Sequence, residues 1–155
     1  MTEQAHARAD VERLYREQGA KLWRAVMSFA GDRSITDEAV SEAFAQLLSR
    51  GDAVKLPSAW VWKAAFRIAA GELQRGRRSV APADPGSYEV PEPLPEVLAA
   101  LASLPPVQRA VVVLHDYADR PTVEIAETLG IARSTVRVHL SQARRRLRKI
   151  LEEER

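Results

Sequence analysis

Positively charged side chains are concentrated close to the end of the chain, in a pattern that suits an anionic partner. Residues 133–149 contain seven arginines and lysines and no acid. Arginine presents a planar fork of donors that matches phosphate oxygens and the two acceptors of guanine in the DNA major groove. Because so many neighbouring cations repel one another, the pattern favours nucleic-acid binding. The alternative is a solvated basic face that serves only solubility.

Two short helices joined by a tight turn would position these cations. The first is predicted at 122–129. Gly130 ends it, because the residue after a helix often adopts a left-handed backbone that glycine tolerates. A helix-turn-helix of this kind lays its second helix in the major groove. Apolar residues at steps of three and four predict one buried stripe along that second helix, leaving its other faces basic: Val136, Leu140, Ala143, Leu147 and Ile150.

Length, charge and cysteine content restrict the class of protein. The chain has 155 residues, a net charge of +2 and no cysteine, which excludes disulfides and thiolate metal sites. His6, His115 and His139 fit neither metal-ligand nor catalytic-triad spacing, and His115 should not face its neighbour Asp116 on a helix. We therefore predict no enzyme activity, no metal and no cofactor. Without a signal peptide or a run of about 18 apolar residues, we expect a soluble, intracellular protein with no membrane insertion.

A proline-rich segment divides the chain. Five of the nine prolines fall in 79–95. Proline removes amide donors and restrains the preceding residue, so neither helix nor strand is expected there. No lysine or arginine occurs from residue 79 to residue 108. We predict an all-α protein of two small helical bundles, at 1–78 and 96–155, joined by an acidic, extended linker at 79–95. The sequence leaves open whether the bundles pack together.

Apolar residues at helical spacing predict three helices before the linker, at 6–30, at 36–50 and from 57 onward. Ser34 or Thr36 is the expected N-cap of the second helix. Trp62 falls off the apolar stripe predicted for the third helix, so its side chain should be exposed. That stripe consists of Trp60, Ala64, Ile68 and Leu73.

Three motifs of the C-terminal half are Leu104-Pro105-Pro106-Val107-Gln108-Arg109, the segment 124–131 and Thr135-Val136-Arg137. They resemble region 4 of bacterial sigma factors of the extracytoplasmic-function (ECF) type. The resemblance implies that this half reads the −35 promoter element and docks on the flap of the polymerase β subunit. The residues implied at base edges are Arg133, Ser134, Arg137 and His139, and Thr135 belongs to the same −35 set. The residues implied at phosphates, which set register and strength rather than sequence, are Arg144, Arg145 and Arg148.

Residues 37–44, Asp-Glu-Ala-Val-Ser-Glu-Ala-Phe, are similar to the region 2 helix that binds the clamp helices of the polymerase β′ subunit. Acids that face a basic helix contribute specificity and association rate more than affinity. An ordinary solvated acidic face near a helix start is the alternative. The polymerase-binding residues that the resemblance implies are Asp37, Glu38, Ser41 and Glu42.

Trp60-Val61-Trp62-Lys63, followed by Ile68-Ala69, resembles the region 2 helix that captures the −10 element and helps to melt DNA. The preceding loop, 51–58, would read a flipped base, because unpaired bases stack on aromatic rings while cations follow the backbone. Core packing is the alternative for Trp60, and a solvated helix end is the alternative for Arg75. The residues implied at the −10 element are Trp62, Lys63, Arg67 and Arg75.

These resemblances imply a cytoplasmic, nucleoid-associated promoter-specificity subunit. It would bind core RNA polymerase and promoter DNA and be controlled by an anti-sigma factor. Phe66, Arg67 and Gly71 depart from the family pattern. They motivate an alternative, a sigma-like adaptor or decoy that binds an anti-sigma factor or polymerase without opening promoters. A stand-alone DNA-binding regulator is a third hypothesis, although such proteins usually dimerise and no dimer interface is predicted.

Overall fold

The computed structural model describes residues 3–76 and 91–153, which form helices and connecting turns with no strand. The helices before the gap are α1 (Glu3–Ala30), α2 (Arg33–Arg50) and α3 (Pro57–Gln74), with a 3₁₀ turn at Gly51–Ala53. Those after it are α4 (Pro95–Ala102), α5 (Pro106–Val112), α6 (Thr122–Leu129) and α7 (Arg133–Glu153), with a π-helical turn at Val113–Tyr117. The all-α prediction is confirmed.

Most of the predicted linker at 79–95 lies outside the described residues. Residues 91–94 have no regular secondary structure, and α4 begins at Pro95, inside the predicted linker. The two boundaries between the three predicted segments therefore stay predictions.

The start of α2 differs from the sequence prediction. Asp32 is the N-cap, and its side chain accepts a hydrogen bond of 2.9 Å from the backbone amide of Ile35. Thr36 lies within the helix and is buried, with its hydroxyl donating to the carbonyl of Asp32 at 2.8 Å. The prediction of Ser34 or Thr36 as N-cap is therefore wrong, because Asp32, which precedes both residues, already caps the helix through the amide of Ile35.

The apolar face of α3 is also broader than predicted. Trp62 is 1% exposed, so the prediction that its side chain is exposed is wrong. The predicted stripe of Trp60, Ala64, Ile68 and Leu73 is only partly buried, although it packs against the same core. The reason is that α3 packs against three helices, α1, α2 and α6, so more of its surface is covered than the predicted stripe. The fully buried apolar residues of α3 are Val61, Trp62, Ala65, Phe66 and Ala69.

The helix-turn-helix follows the sequence prediction. Gly130 follows α6 with φ 67° and ψ 37°, a left-handed conformation, and its amide bonds to the carbonyl of Ala126. On α7, Val136, Leu140 and Ala143 of the predicted stripe are buried, whereas Leu147 and Ile150 are half-buried. This buried stripe holds α7 against α5 and leaves the basic side chains of α7 outside the core.

The two bundles pack against each other, and Arg109 of α5 joins them. Its guanidinium donates to the carbonyl oxygen of Phe29 at the end of α1, at 2.8 Å. It also donates to the carbonyls of Leu101 at 3.0 Å and Leu104 at 3.1 Å, near the end of α4. Burial lowers the pKa of Arg109 from its ordinary value. One side chain therefore ties the last turn of α1 to α4 and α5.

Candidate nucleic-acid and polymerase interfaces

The first two turns of α7 carry the residues predicted to contact base edges. Arg133, Ser134 and Arg137 are exposed, whereas Thr135 and His139 are half-buried. The three exposed side chains combine guanidinium donors with a hydroxyl, and both groups bind base edges in a major groove. The turn at Gly130 and the buried stripe of α7 determine the direction in which they point.

The three arginines predicted to contact phosphates differ in whether they are bonded within the protein. Arg145 and Arg148 are exposed along α7. Arg144 is bonded within the protein, because its Nε donates to Oδ2 of Asp116 at 3.0 Å and its Nη2 donates to Oδ1. The hydrogen bond from Arg144 is the main reason why the pKa of Asp116 is lowered. Arg144 therefore anchors α7 to the π-helical turn.

Asp116 also contacts His115, which corrects a prediction. Its Oδ1 lies 2.9 Å from Nδ1 of His115, although adjacent residues on an α-helix do not face each other. The segment is a π-helical turn, in which more residues share each turn and neighbouring side chains are separated by a smaller angle. His115, Asp116 and Arg144 therefore meet at this π-helical turn.

Trp62, predicted to contact the −10 element, lies inside the protein. Its Nε1 donates to Oε1 of Gln18 at 3.0 Å, and its ring stacks on that of Phe66. The guanidinium of Arg120 covers the Trp62 ring at 4.9 Å from the ring centroid. In this arrangement Trp62 cannot stack on a base.

Trp60 is the more accessible tryptophan of α3. It is half-buried, and the guanidinium of Arg50 lies 5.4 Å from its ring centroid. Lys63 is one turn further along α3 and also half-buried. Trp60, Arg50 and Lys63 line one groove with the connecting segment that ends at Leu56. Together they place an aromatic ring and cations beside the loop predicted to read a flipped base.

The opposite wall of that groove belongs to α6, through Glu124, Glu127 and Thr128. Arg67 of α3 donates to the carbonyls of Glu127 at 3.0 Å and Thr128 at 3.2 Å. Arg120 donates to the hydroxyl of Ser58 at 3.3 Å. The first helix of the helix-turn-helix therefore covers the surface predicted to bind the −10 element. Arg75, the remaining −10 candidate, is exposed and paired with Glu72 of its own helix.

The predicted polymerase-binding residues share one face of α2 but differ in their contacts. Asp37 is half-buried, and its Oδ1 accepts a hydrogen bond of 2.7 Å from Nε1 of the buried Trp23. Glu38, Ser41 and Glu42 are exposed, and Glu42 accepts a hydrogen bond of 3.0 Å from Gln46. Asp37 holds α1 against α2, while the other three form the accessible part of this face.

Comparison with known proteins gives the family. The family model described as "Sigma-70, region 4" matches residues 94–147, from the start of α4 through most of α7. The ECF RNA polymerase sigma factor SigL of Mycobacterium tuberculosis is 31% identical over an alignment that covers 90% of this chain and 88% of SigL. The chain belongs to the ECF sigma factors. The family assignment made from the sequence is confirmed.

Solved structures of similar fold agree with this assignment. The sigma factor RpoE from Bartonella quintana, solved in complex with the anti-sigma factor NepR, has a TM-score of 0.76 at 20% identity over 94% of this chain and 99% of RpoE. CnrH, solved in complex with the cytosolic domain of CnrY, has a TM-score of 0.71 at 20% identity over 99% of this chain and 97% of CnrH. At this identity, the likeness establishes the fold of the sigma factor.

Sequence reasoning missed three features of the sigma factor at these surfaces. Arg109 and Arg120 also join the bundles, and they gave no signal because their partners in the other bundle, Phe29 and Ser58, are remote in sequence. Val138 of α7 did give one, because it is an apolar residue outside the stripe of Val136, Leu140 and Ala143. Its side chain is 53% exposed on the recognition helix.

The described part of the sigma factor, residues 3–76 and 91–153, contains no group of three or more His, Asp or Glu side chains that could hold a metal ion. Within the same ranges, no helix is long and apolar enough to cross a membrane.

Replacing Arg67 with alanine is expected to shift the sigma factor toward a form in which α6 has separated from α3. The substitution removes two charge-assisted hydrogen bonds. Because Arg67 is exposed, we expect their loss to weaken docking by about 1 kcal/mol, or about fivefold in the population of the separated form. The chain has no cysteine, so labels at S49C and E152C would report the separation by single-molecule energy transfer. Arg13→Ala, which removes an ion pair within α1, is the matched control. If Arg67→Ala and Arg13→Ala gave the same distribution of energy-transfer efficiencies, the prediction would be contradicted.

Proposed function

We propose that this ECF sigma factor binds core RNA polymerase and directs it to a restricted set of promoters through −35 and −10 recognition. The observation that carries the proposal is the exposed, basic start of α7, which is held by a regular helix-turn-helix. Arg133, Ser134 and Arg137 would contact base edges. Arg145 and Arg148 would contact phosphates, and Arg144 would keep α7 in place through Asp116.

Polymerase binding would use the accessible face of α2. Glu38, Ser41 and Glu42 present carboxylates and a hydroxyl on one side of a helix whose other side is held in the core. Carboxylates at the edge of an interface raise the association rate and select a basic partner. Asp37 would contribute mainly by positioning α2, because Trp23 already bonds its carboxylate.

Binding of the −10 element would require α6 to leave α3. The hydrogen bonds that join α3 to α6 and to Arg120, just before α6, end on backbone carbonyls and on a hydroxyl, groups that water can satisfy after separation. Arg67 would then be free for phosphate, and Trp60 with Lys63 would be open to an unpaired strand. We infer that binding to polymerase supplies the free energy for this separation.

An anti-sigma factor is the proposed regulatory partner. RpoE and CnrH were solved in complexes with NepR and CnrY, respectively. A protein that binds both bundles of this chain at once would stabilise the packed arrangement and keep the −10 surface covered.

Run-off transcription with core polymerase, the full-length chain and a library of promoter fragments tests the proposal. Arg137→Ala is expected to reduce transcription from the selected promoters by about 5-fold to 150-fold, because a bidentate arginine–guanine contact contributes about 1–3 kcal/mol. Arg146→Ala, an exposed arginine on the same helix outside the predicted base-contacting set, is the control and should cause a smaller loss. Equal losses for both variants would contradict a base-reading role for Arg137.

The second candidate function is a sigma-like adaptor that binds polymerase or an anti-sigma factor without opening promoters. The burial of Trp62 and the cover of α6 over α3 favour it. Tight binding to core polymerase without transcripts from any fragment would support the adaptor and exclude promoter opening.

A further inference from the structure

One apolar residue stands out on the exposed surface of the recognition helix. Val138 lies on the side of α7 away from the buried stripe of Val136, Leu140 and Ala143. Single exposed apolar residues are common on protein surfaces, so exposure alone carries no meaning. What distinguishes Val138 is its position, since it directly follows Arg137 in the turns of α7 that would enter a major groove.

The surroundings of Val138 favour a nucleic-acid partner over an apolar protein surface. Ser134 lies one turn before it and Ser141 one turn after it, and Arg145 continues the same row. All three are exposed, and the chain has no acid from residue 133 to residue 151. This row therefore offers one apolar contact enclosed by hydroxyls and positive charge. The only methyl group on the base edges of a DNA major groove is that of thymine.

We propose that Val138 contacts the C5-methyl group of a thymine in the −35 element and makes this sigma factor prefer that thymine. This inference rests on the proposed function, since it presumes that α7 reads DNA. In the proposed arrangement, the two serines flank the contact and Arg145 holds the adjacent backbone. Val138 would then determine sequence preference at one position, while the arginines supply most of the affinity.

Replacing thymine with deoxyuridine tests this contact, because it removes the methyl group and leaves base pairing unchanged. A promoter fragment selected by core polymerase and the full-length chain would receive one such replacement at each thymine of the −35 region in turn. At one position the replacement is expected to weaken binding by the unmodified chain about fourfold, the value of one buried methyl group. Val138→Ala is expected to weaken binding to the original fragment about as much and to show no further loss with deoxyuridine.

Two further variants serve as controls. Val107→Ala makes the same change at an exposed valine of α5 and should keep the deoxyuridine effect. Val138→Thr keeps the side-chain shape and one methyl group, so it should keep part of the effect. Because Val138 is exposed and alanine is a stronger helix former, Val138→Ala is expected to remain folded.

Several results would overturn the inference. One is that no deoxyuridine position distinguishes Val138→Ala from the unmodified chain. Another is that Val138→Ala weakens binding to core polymerase and leaves the deoxyuridine effect intact, since the valine would then serve a protein contact. If the unmodified chain with core polymerase selects no promoter, the proposed function fails first and the inference fails with it. Failure of the proposed function can be distinguished from failure of the Val138 inference, because promoter selection is measured before any deoxyuridine is introduced.

Discussion

Replacing Trp62 with alanine is expected to lower the free energy of unfolding by about 3–5 kcal/mol, the usual cost of deleting a buried tryptophan. The side chain is among the largest that are fully buried in the described part of the chain. The substitution would remove the stack on Phe66 and the Arg120 guanidinium above the ring, and it would leave Oε1 of Gln18 with one donor fewer. Trp62 is therefore a packing residue at the junction of the two bundles.

Trp60→Ala is the matched control, because the same side chain is deleted from the same helix at a half-buried site. We expect about half the loss or less for this variant, in keeping with the smaller area returned to water. Urea unfolding followed by far-ultraviolet circular dichroism measures both, since the signal does not depend on the deleted chromophore. A loss for Trp62→Ala no larger than that for Trp60→Ala would contradict the packing assignment and restore Trp62 as a surface candidate for DNA.

Replacing Arg109 with alanine is expected to cost about 3 kcal/mol in unfolding free energy, because three carbonyl oxygens lose their donor in a partly buried site. Arg109→Lys should recover little of this loss. A single ammonium group on a flexible stem cannot reproduce the planar fork that reaches Phe29, Leu101 and Leu104 together. The substitution should also weaken the connection between the bundles, since the bond to Phe29 joins α5 to α1.

The distribution of tryptophans allows these two consequences to be separated. Trp23, Trp60 and Trp62 are the three tryptophans of the chain and all lie before the linker, so fluorescence reports the N-terminal bundle while circular dichroism reports all helices. In the unmodified chain we expect the two unfolding transitions to coincide. In Arg109→Ala, the transition followed by circular dichroism should begin at a lower urea concentration than the fluorescence transition. Arg13→Ala is the control, and a variant at Arg109 that unfolds like it would contradict the role assigned to Arg109.

Features that depend on local spacing were determined by the sequence. The end of α6 at Gly130 follows from a left-handed position that glycine fills at little cost, and the buried stripe of α7 follows from apolar residues at helical steps. The family resemblance also came from contiguous motifs, such as 104–109. For these features every interacting residue lies within a few positions of the others, so the pattern is visible along the chain.

Features that depend on which surfaces meet were decided only by the tertiary structure. Periodicity placed Trp62 outside the apolar stripe of α3, but α3 packs against three helices, and α6 with Arg120 completes the enclosure. No partner within the protein was predicted for Arg67, whereas in the structure it donates hydrogen bonds to two backbone carbonyls of α6. Arg144 likewise donates a hydrogen bond to Asp116, which lies in a π-helical turn 28 residues earlier in the chain. In each case the residue that makes the contact is remote in sequence, so a local pattern of charge or hydropathy could not predict it.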